Sequence, residues 1–263
     1  MRFWSLLTGC LLVWLPAVLA VNPGFIGAID LSPETLEYSV DVLMLKDAAR
    51  TTISLSKIAP DLYEAEIKGH TRGILGFFTA HRRDRYRTRM TYTQGKLQPT
   101  TYWEESWRKG KHHYKEYRFD YDQGRLELWQ ADAEGEIKLK WFTELKRPIY
   151  DPLSAFYNFR LGALGELKGG ETITVSGIPY PHREDINIHI GPREHGKLKV
   201  AVTIRNRAFE DESGIVHILF DPAQVPLEAW TRVLAFGKIT GHLRSATAPA
   251  GVDEETLLKN SPD

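Results

Sequence analysis

From Thr35 onward, short polar turns interrupt the chain about every ten residues, and the stretches between them are rich in β-branched and aromatic side chains. Gln94-Gly95-Lys96, Asp122-Gln123-Gly124 and Ala133-Glu134-Gly135 each lie between two such stretches, as hairpin loops do. This rhythm leaves no room for long helices and points to antiparallel meanders. It predicts strands near 35–45, 51–58, 61–68, 85–93, 98–107, 112–121, 124–131 and 135–142. Alternation within the stretches agrees. Lys115, Tyr117, Phe119 and Tyr121 fall on one face, and Tyr114, Glu116, Arg118 and Asp120 on the other.

One segment has the other periodicity. Asp151-Pro152 puts an acceptor side chain at an N-cap and proline at the first helical position. Leu153, Phe156, Tyr157 and Leu164 recur at helical spacing, with Arg160 on the same face, and Gly162 and Gly165 supply the stop. A helix over 151–162 is too short to stand alone in water, so it must pack on a sheet. A second β series follows at 171–177, 180–190, 197–207, 214–221 and 237–246. In Gln224–Phe236, Pro226 argues against a central strand.

The first 20 residues have a basic start at Arg2, an apolar run from Phe3 to Ala20, and small residues at its end. This is the form of a secretory signal peptide cleaved before Val21, which places the protein in a bacterial periplasm. A retained anchor and a lipobox at Leu7-Thr8-Gly9-Cys10 are the alternatives, but the apolar run continues ten residues past Cys10 instead of ending there. Cys10 is the single cysteine, so its removal with the leader takes away disulfides, thiol nucleophiles and cysteine-ligated metals together.

Charge excludes one class of partner. Lys+Arg and Asp+Glu both number 34, and a chain this close to neutral lacks the cation excess that nucleic acid demands. The charge is unevenly spread, however. Residues 68–118 hold 13 Lys+Arg against four acids. Arg83, Arg85, Arg87 and Arg89 alternate, so a strand there shows guanidinium groups on one face, and Trp103 and Trp107 lie nearby. Such a face suits a lipid headgroup, an anionic glycan or a membrane surface. Salt bridges to acids from neighbouring strands are the alternative reading.

Catalytic patterns are thin. Ser154 and Ser176 lack the strand–turn–helix setting of a nucleophile elbow. His112 and His113 are adjacent, so on a strand they face opposite ways, and His182, His189 and His195 have no metal-ligand spacing. The same parity divides Glu104 from Glu105 and Glu184 from Asp185, which weakens each as a glycosidase pair. The glycines at 162, 165, 169 and 170 follow a helix where a phosphate loop would precede one. Neither a cofactor nor a metal is expected.

Asp151-Pro152-Leu153-Ser154-Ala155-Phe156-Tyr157-Asn158-Phe159-Arg160 resembles the "DPLSA…R" segment of a bacterial exported family, domain of unknown function 3108. Gly95-Lys96-Leu97-Gln98-Pro99 is similar to that family's "G-x-L-x-P" hairpin, and Phe236–Leu243 to its closing "G-x-I-x-G-x-L" strand. The resemblance spans roughly 35–246 and departs from the family pattern at Asp221–Leu227. It implies a periplasmic, strongly curved antiparallel β structure and supplies no catalytic residue.

The expected fold is mainly β: a large curved antiparallel sheet or half-closed β-barrel with one short helix packed against its concave side. The expected layout is a signal peptide at 1–20, a lead-in at 21–34, one antiparallel β domain at 35–246 and a disordered acidic tail at 247–263. The function expected first is non-enzymatic binding or carriage of an amphipathic or anionic envelope ligand such as lipid, in an apolar cavity beneath the helix. Arg83, Arg85, Arg87, Arg89, Trp103, Trp107, Phe156, Tyr157 and Arg160 are its candidate ligand-binding residues. The alternatives are a protein–protein accessory factor in envelope assembly, with a filled interior and an apolar patch outside, and an envelope glycan hydrolase.

Overall fold

The computed structural model describes residues 31–73, 76, 79, 81–178, 185–203, 214–233 and 237–247. The expected leader, Cys10, most of the lead-in, the tail beyond 247, and His182 and Glu184 lie outside the described residues.

The first half of the chain is a meander of eight strands: β1 (Glu34–Val42), β2 (Leu45–Ala59), β3 (Leu62–Thr71), β4 (Arg83–Thr93), β5 (Lys96–Arg108), β6 (Lys111–Asp120), β7 (Arg125–Ala131) and β8 (Ile137–Glu144). Helix α1 (Pro152–Arg160) follows. Six more strands complete the fold: β9 (Thr172–Ser176), β10 (Asp185–Glu194), β11 (Lys197–Thr203), β12 (Ile215–Phe220), β13 (Pro226–Val233) and β14 (Gly237–Ala246). All fourteen belong to one sheet, in the order β8-β7-β6-β5-β4-β3-β2-β1-β14-β13-β12-β11-β10-β9. Neighbours are antiparallel throughout, and β1 pairs with β14 in the middle. β8 and β9 are the edges, so the sheet is not closed into a barrel. The chain after β8 passes close to β9, where the Tyr150 N–H donates to the Ser176 carbonyl at 2.8 Å.

Alternate side chains of the strands point inward, and among the most deeply buried of them are Leu55 on β2, Ala65 on β3, Met90 on β4, Leu97 on β5, Leu126 and Leu128 on β7, Ile190 on β10, and Leu198 and Val200 on β11. α1 lies between the two halves of this surface. Leu153 and Tyr157 pack with Leu55, Tyr63, Met90 and Leu97. Ala155 and Phe159 pack with Ile186, Ile188, Ile190, Leu198 and Phe220. The sheet therefore curves around the helix. A third cluster, Tyr102, Tyr117, Phe119, Leu126, Leu128 and Ile149, fills the concave side toward β8.

Polar side chains hold α1 in place at three points. At its start, Asp151 Oδ1 accepts from the backbone N–H groups of Leu153 and Ser154 and from the Thr88 hydroxyl of β4 at 2.6 Å. Ser154 returns a bond to the Asp151 backbone, completing a capping box. In the middle, Asn158 accepts from the Leu97 N–H at 2.9 Å and donates to the Leu97 carbonyl at 2.7 Å, pairing with β5 as another backbone would. At the end, the Arg160 guanidinium bonds both oxygens of Glu34 on β1 and donates from Nε to the Gln224 carbonyl at 2.9 Å. Arg160, Asn158 and Asp151 are all fully buried. Gly162, at φ +69, ends the helix, as the sequence predicts.

Two strand expectations are corrected. The stretch 35–45 is not one strand: β1 ends at Val42 and the chain reverses at Leu43-Met44, so β2 begins at Leu45. Two-residue hairpin turns favour glycine and asparagine because they need positive φ. Here Leu43 takes φ 54, at a cost of about 1 kcal/mol. The second correction is that Pro226 starts an interior strand, β13. It stands at the first position, beyond a register shift, where the missing N–H breaks no ladder.

The buried ion pair generates a stability prediction. Arg160→Met strands the Glu34 carboxylate in the interior and should cost about 3–5 kcal/mol by denaturant unfolding. Glu34→Met combined with Arg160→Met should regain most of that loss, and additive losses would contradict the account. Asp151 gives a pH prediction. Burial raises its pKa, and its Oδ2 is buried with no hydrogen-bond donor among the described residues. Its favourable contribution is complete below the unfolded Asp range of about 3.9 and falls as pH rises through the folded value. Urea unfolding of Asp151→Asn, which keeps the cap, should shift in the variant's favour between about pH 4 and pH 7 relative to wild type.

Candidate functional site

On β4, Thr88 and Met90 are buried on the concave side, which turns Arg83, Arg85, Arg87 and Arg89 to the convex side. Pairing places Trp107, Glu105, Trp103 and Thr101 of β5 opposite them, in that order. On the other flank stand His70, Lys68, Glu66 and Glu64 of β3. Arginine and carboxylate thus meet across strands by register. Arg85 bonds Glu66 at 2.5 Å and stands 3.9 Å from Glu105. Arg87 and Arg89 lie 3.7 and 3.2 Å from Glu64. Arg83 alone of the four has no carboxylate within ion-pair reach among the described residues.

Aromatic rings complete the layer. The Arg87 guanidinium sits 4.4 Å from the Trp103 ring centre, and Trp107 stacks on His112 at 4.8 Å and 6°. The pattern continues to the sheet edge, with Arg118 over Trp129 at 4.5 Å and Arg125 over Phe142 at 4.1 Å. Carboxylates hold these cations too: Glu116 accepts from Arg118 at 2.6 Å, and Glu127 from Arg125 at 3.0 Å. The titration behaviour fits a self-neutralised surface. Burial pushes Glu66 up, but bonds from Lys68 and Arg85 hold its pKa below the ordinary value. Glu116 is held down in the same way by Arg118 and Tyr114.

The candidate residues are therefore divided by the sheet. Arg83, Arg85, Arg87, Arg89, Trp103 and Trp107 are on its convex face. Tyr157 and Arg160 are buried inside with α1, and Phe156 lies between two core clusters. The sheet thus stands between the convex arginines and α1, where the expected arrangement puts them together at the rim of one cavity. Around α1 its own side chains pack in two core clusters with those of β2–β5 and β10–β12. Arg160 answers to Glu34, leaving its guanidinium no free fork for a guest.

The adjacent pairs behave as strand parity dictates. Glu104 faces inward and accepts from Lys115 at 3.0 Å, while Glu105 faces outward between Arg85 and His112. Inward Tyr86 is pushed up to about 12 by burial and by Asp84 and Glu104.

Two apolar exposures were not anticipated. On edge strand β8, Ile137, Leu139 and Phe142 are exposed, and a shallow recess is lined by Leu139, Lys140, Trp141 and Phe142. At the β1–β2 turn, Leu43, Met44 and Leu45 are exposed. The sequence marks β8 as a strand, but nothing local in it says that β8 is an edge. The unglycinated Leu43-Met44 turn lacks the usual signal altogether.

The chain matches the model of the family described as Protein of unknown function (DUF3108) over residues 37–243. No curated protein matches it. Among solved structures it is similar to the crystal structure of a β-barrel-like protein of domain of unknown function DUF1849 from Brucella abortus, with 8% identity and a TM-score of 0.46. That match covers 83% of this chain and 98% of the other. With the family model covering most of the sheet and all of α1, the chain belongs to the DUF3108 family.

Proposed function

We propose that this chain is an exported, non-enzymatic accessory module of the cell envelope that docks an extended segment of a partner protein along β8. The observation that carries the reading is the exposed apolar row on edge strand β8. Ile137, Leu139 and Phe142 are 49%, 41% and 58% exposed on a strand that, among the described residues, has a neighbour on one side only. Protein sheets ordinarily guard such edges, most often with lysine. Here Lys138 is drawn back into its own hairpin by Asp132 and Glu136, at 2.5 and 3.0 Å. The backbone edge is left to a strand that brings apolar side chains of its own, and Lys140 favours an acidic residue opposite it.

The carrier reading has less support. It needs room beneath α1, and the described interior is packed there. Three of the four convex arginines, Arg85, Arg87 and Arg89, already have Glu64, Glu66 or Glu105 within ion-pair reach. The hydrolase reading needs two convergent carboxyl groups, whereas Glu104 and Glu105 stand on opposite faces.

Leu139→Lys combined with Phe142→Lys should abolish recovery of a stable protein complex from solubilised envelopes. Unfolding should change by no more than about 0.5 kcal/mol, because both side chains are exposed. Undiminished recovery would overturn the reading. Saturable uptake of added lipid by the purified chain would favour the carrier instead.

A further inference from the structure

Alternate hairpin turns of the meander fall at the same end of the sheet. The β1–β2 turn at 43–44, the connection from Thr71 to Arg83, the β5–β6 turn at 109–110 and the start of β14 at Gly237 therefore share one end. The β6–β7 turn at 121–124 lies at the other.

This end is built unlike an ordinary hairpin rim. Met44 is 93% exposed and Leu43 is 66% exposed, at a turn where glycine and asparagine would be the unstrained choice. The turn is nonetheless firmly held, because the Leu43 N–H donates to the Lys238 carbonyl at 2.9 Å and its side chain lies against Gly237. Backbone strain at Leu43 and the exposure of most of two large apolar side chains are costly for folding alone. That combination points to a role outside the fold.

In the segments at this end from β1 to β6, cations outnumber acids. The described segments 41–50, 70–73, 81–84 and 107–113 hold eight Lys+Arg against three acids. Those acids are occupied: Asp41 by Lys46, Asp47 by Arg50 and Arg72, and Asp84 by Arg82. Arg83, Arg108, Lys109 and Lys111 are exposed, with no carboxylate in ion-pair reach among the described residues. Half-buried Trp107 stands among them, stacked on His112. The acidic turn at Asp132–Glu136 lies at the same end but beyond β6, so the basic sector spans β1 to β6.

An apolar tip at the β1–β2 turn, with unneutralised cations and a tryptophan at the same end on β4 to β6, suits contact with an anionic bilayer. We infer that this end of the sheet docks on a bilayer of anionic phospholipid. Leu43 and Met44 enter among the acyl chains, and Arg83, Arg108, Lys109 and Lys111 meet the phosphates. The surface is distinct from β8, and the inference stands independently of the function proposed above.

The test places an environment-sensitive dye on Met44→Cys or, at the opposite end, on Gln123→Cys, each in a Cys10→Ser background of the full chain. The probes are vesicles of phosphatidylcholine with or without phosphatidylglycerol. The dye at 44 should shift to the blue with phosphatidylglycerol vesicles only, and the dye at 123 with neither. Arg83→Gln with Lys109→Gln should weaken binding about twenty-five-fold, at roughly fivefold for each cation near an anionic surface. Leu43→Asn, which suits the left-handed backbone, should weaken it about tenfold without disturbing the turn. No shift at 44, an equal shift at 123, or an undiminished response to neutral vesicles would overturn the inference.

Discussion

The Arg160 guanidinium lies wholly out of water, bonded to both oxygens of Glu34 and to the Gln224 carbonyl. Burial pulls the pKa of this group down, but Glu34 more than offsets that and holds it above the usual arginine value. The contact joins three distant parts of the chain: the start of β1, the end of α1 and the turn between β12 and β13. Tyr38 of β1 strengthens the same junction by donating to the Pro226 carbonyl at 2.7 Å. A buried ion pair is a weak source of stability compared with apolar packing. Its value here lies in position. Apolar surface would let α1 slide or rotate between the two halves of the sheet, whereas a two-toothed bond to one carboxylate admits a single setting. With Asn158 on β5 and Asp151 on β4, the helix is fixed at both ends and in the middle. The curvature of the sheet follows, because strands on both flanks must close on the same nine-residue helix.

Once α1 fills the concave side, the outer surface is what remains for recognition. Most of that surface is spoken for. Between β3 and β8 the cations and rings stack on one another, and each cluster carries its own carboxylate. Such a layer is rigid and nearly neutral, and it explains how a basic stretch can sit in a chain with no net charge. The places left over are the ones where the layer stops, at the last strand and at the hairpin tips. Both readings offered above come from these boundaries.

Much of this was legible in the sequence, because the signals were local. Asp151-Pro152 opens the helix and Gly162 closes it, and the turns at Gly95, Gly110, Gly124 and Gly135 have the positive φ that only glycine takes freely. The parity of Lys115 to Tyr121 was correct to the residue. What could not be read depended on pairing across long stretches of chain. Arg83 to Arg89 announced a charged face, but their neutralisation needed Glu64 and Glu66 from β3 in register, which alternation in one strand cannot supply. The inward parity of Thr88 and Met90 was the available clue that this face pointed outward. Leu43-Met44 misled for the opposite reason: a residue indifferent to turns was placed in one. Glu34 stood in a stretch read as lead-in, and its partner is 126 residues away.

Pairing β1 with β14 has a consequence for how the molecule comes into being. The first eight strands can zip up successively, each beside its predecessor. Strand β1 must then wait, one flank bare, for β14, and the ties between Thr35 and Thr247 finish the seam. Contacts so remote in sequence form late and slowly. For that interval the nascent protein carries an open flank at its very centre, so the step most exposed to misassembly is the final one.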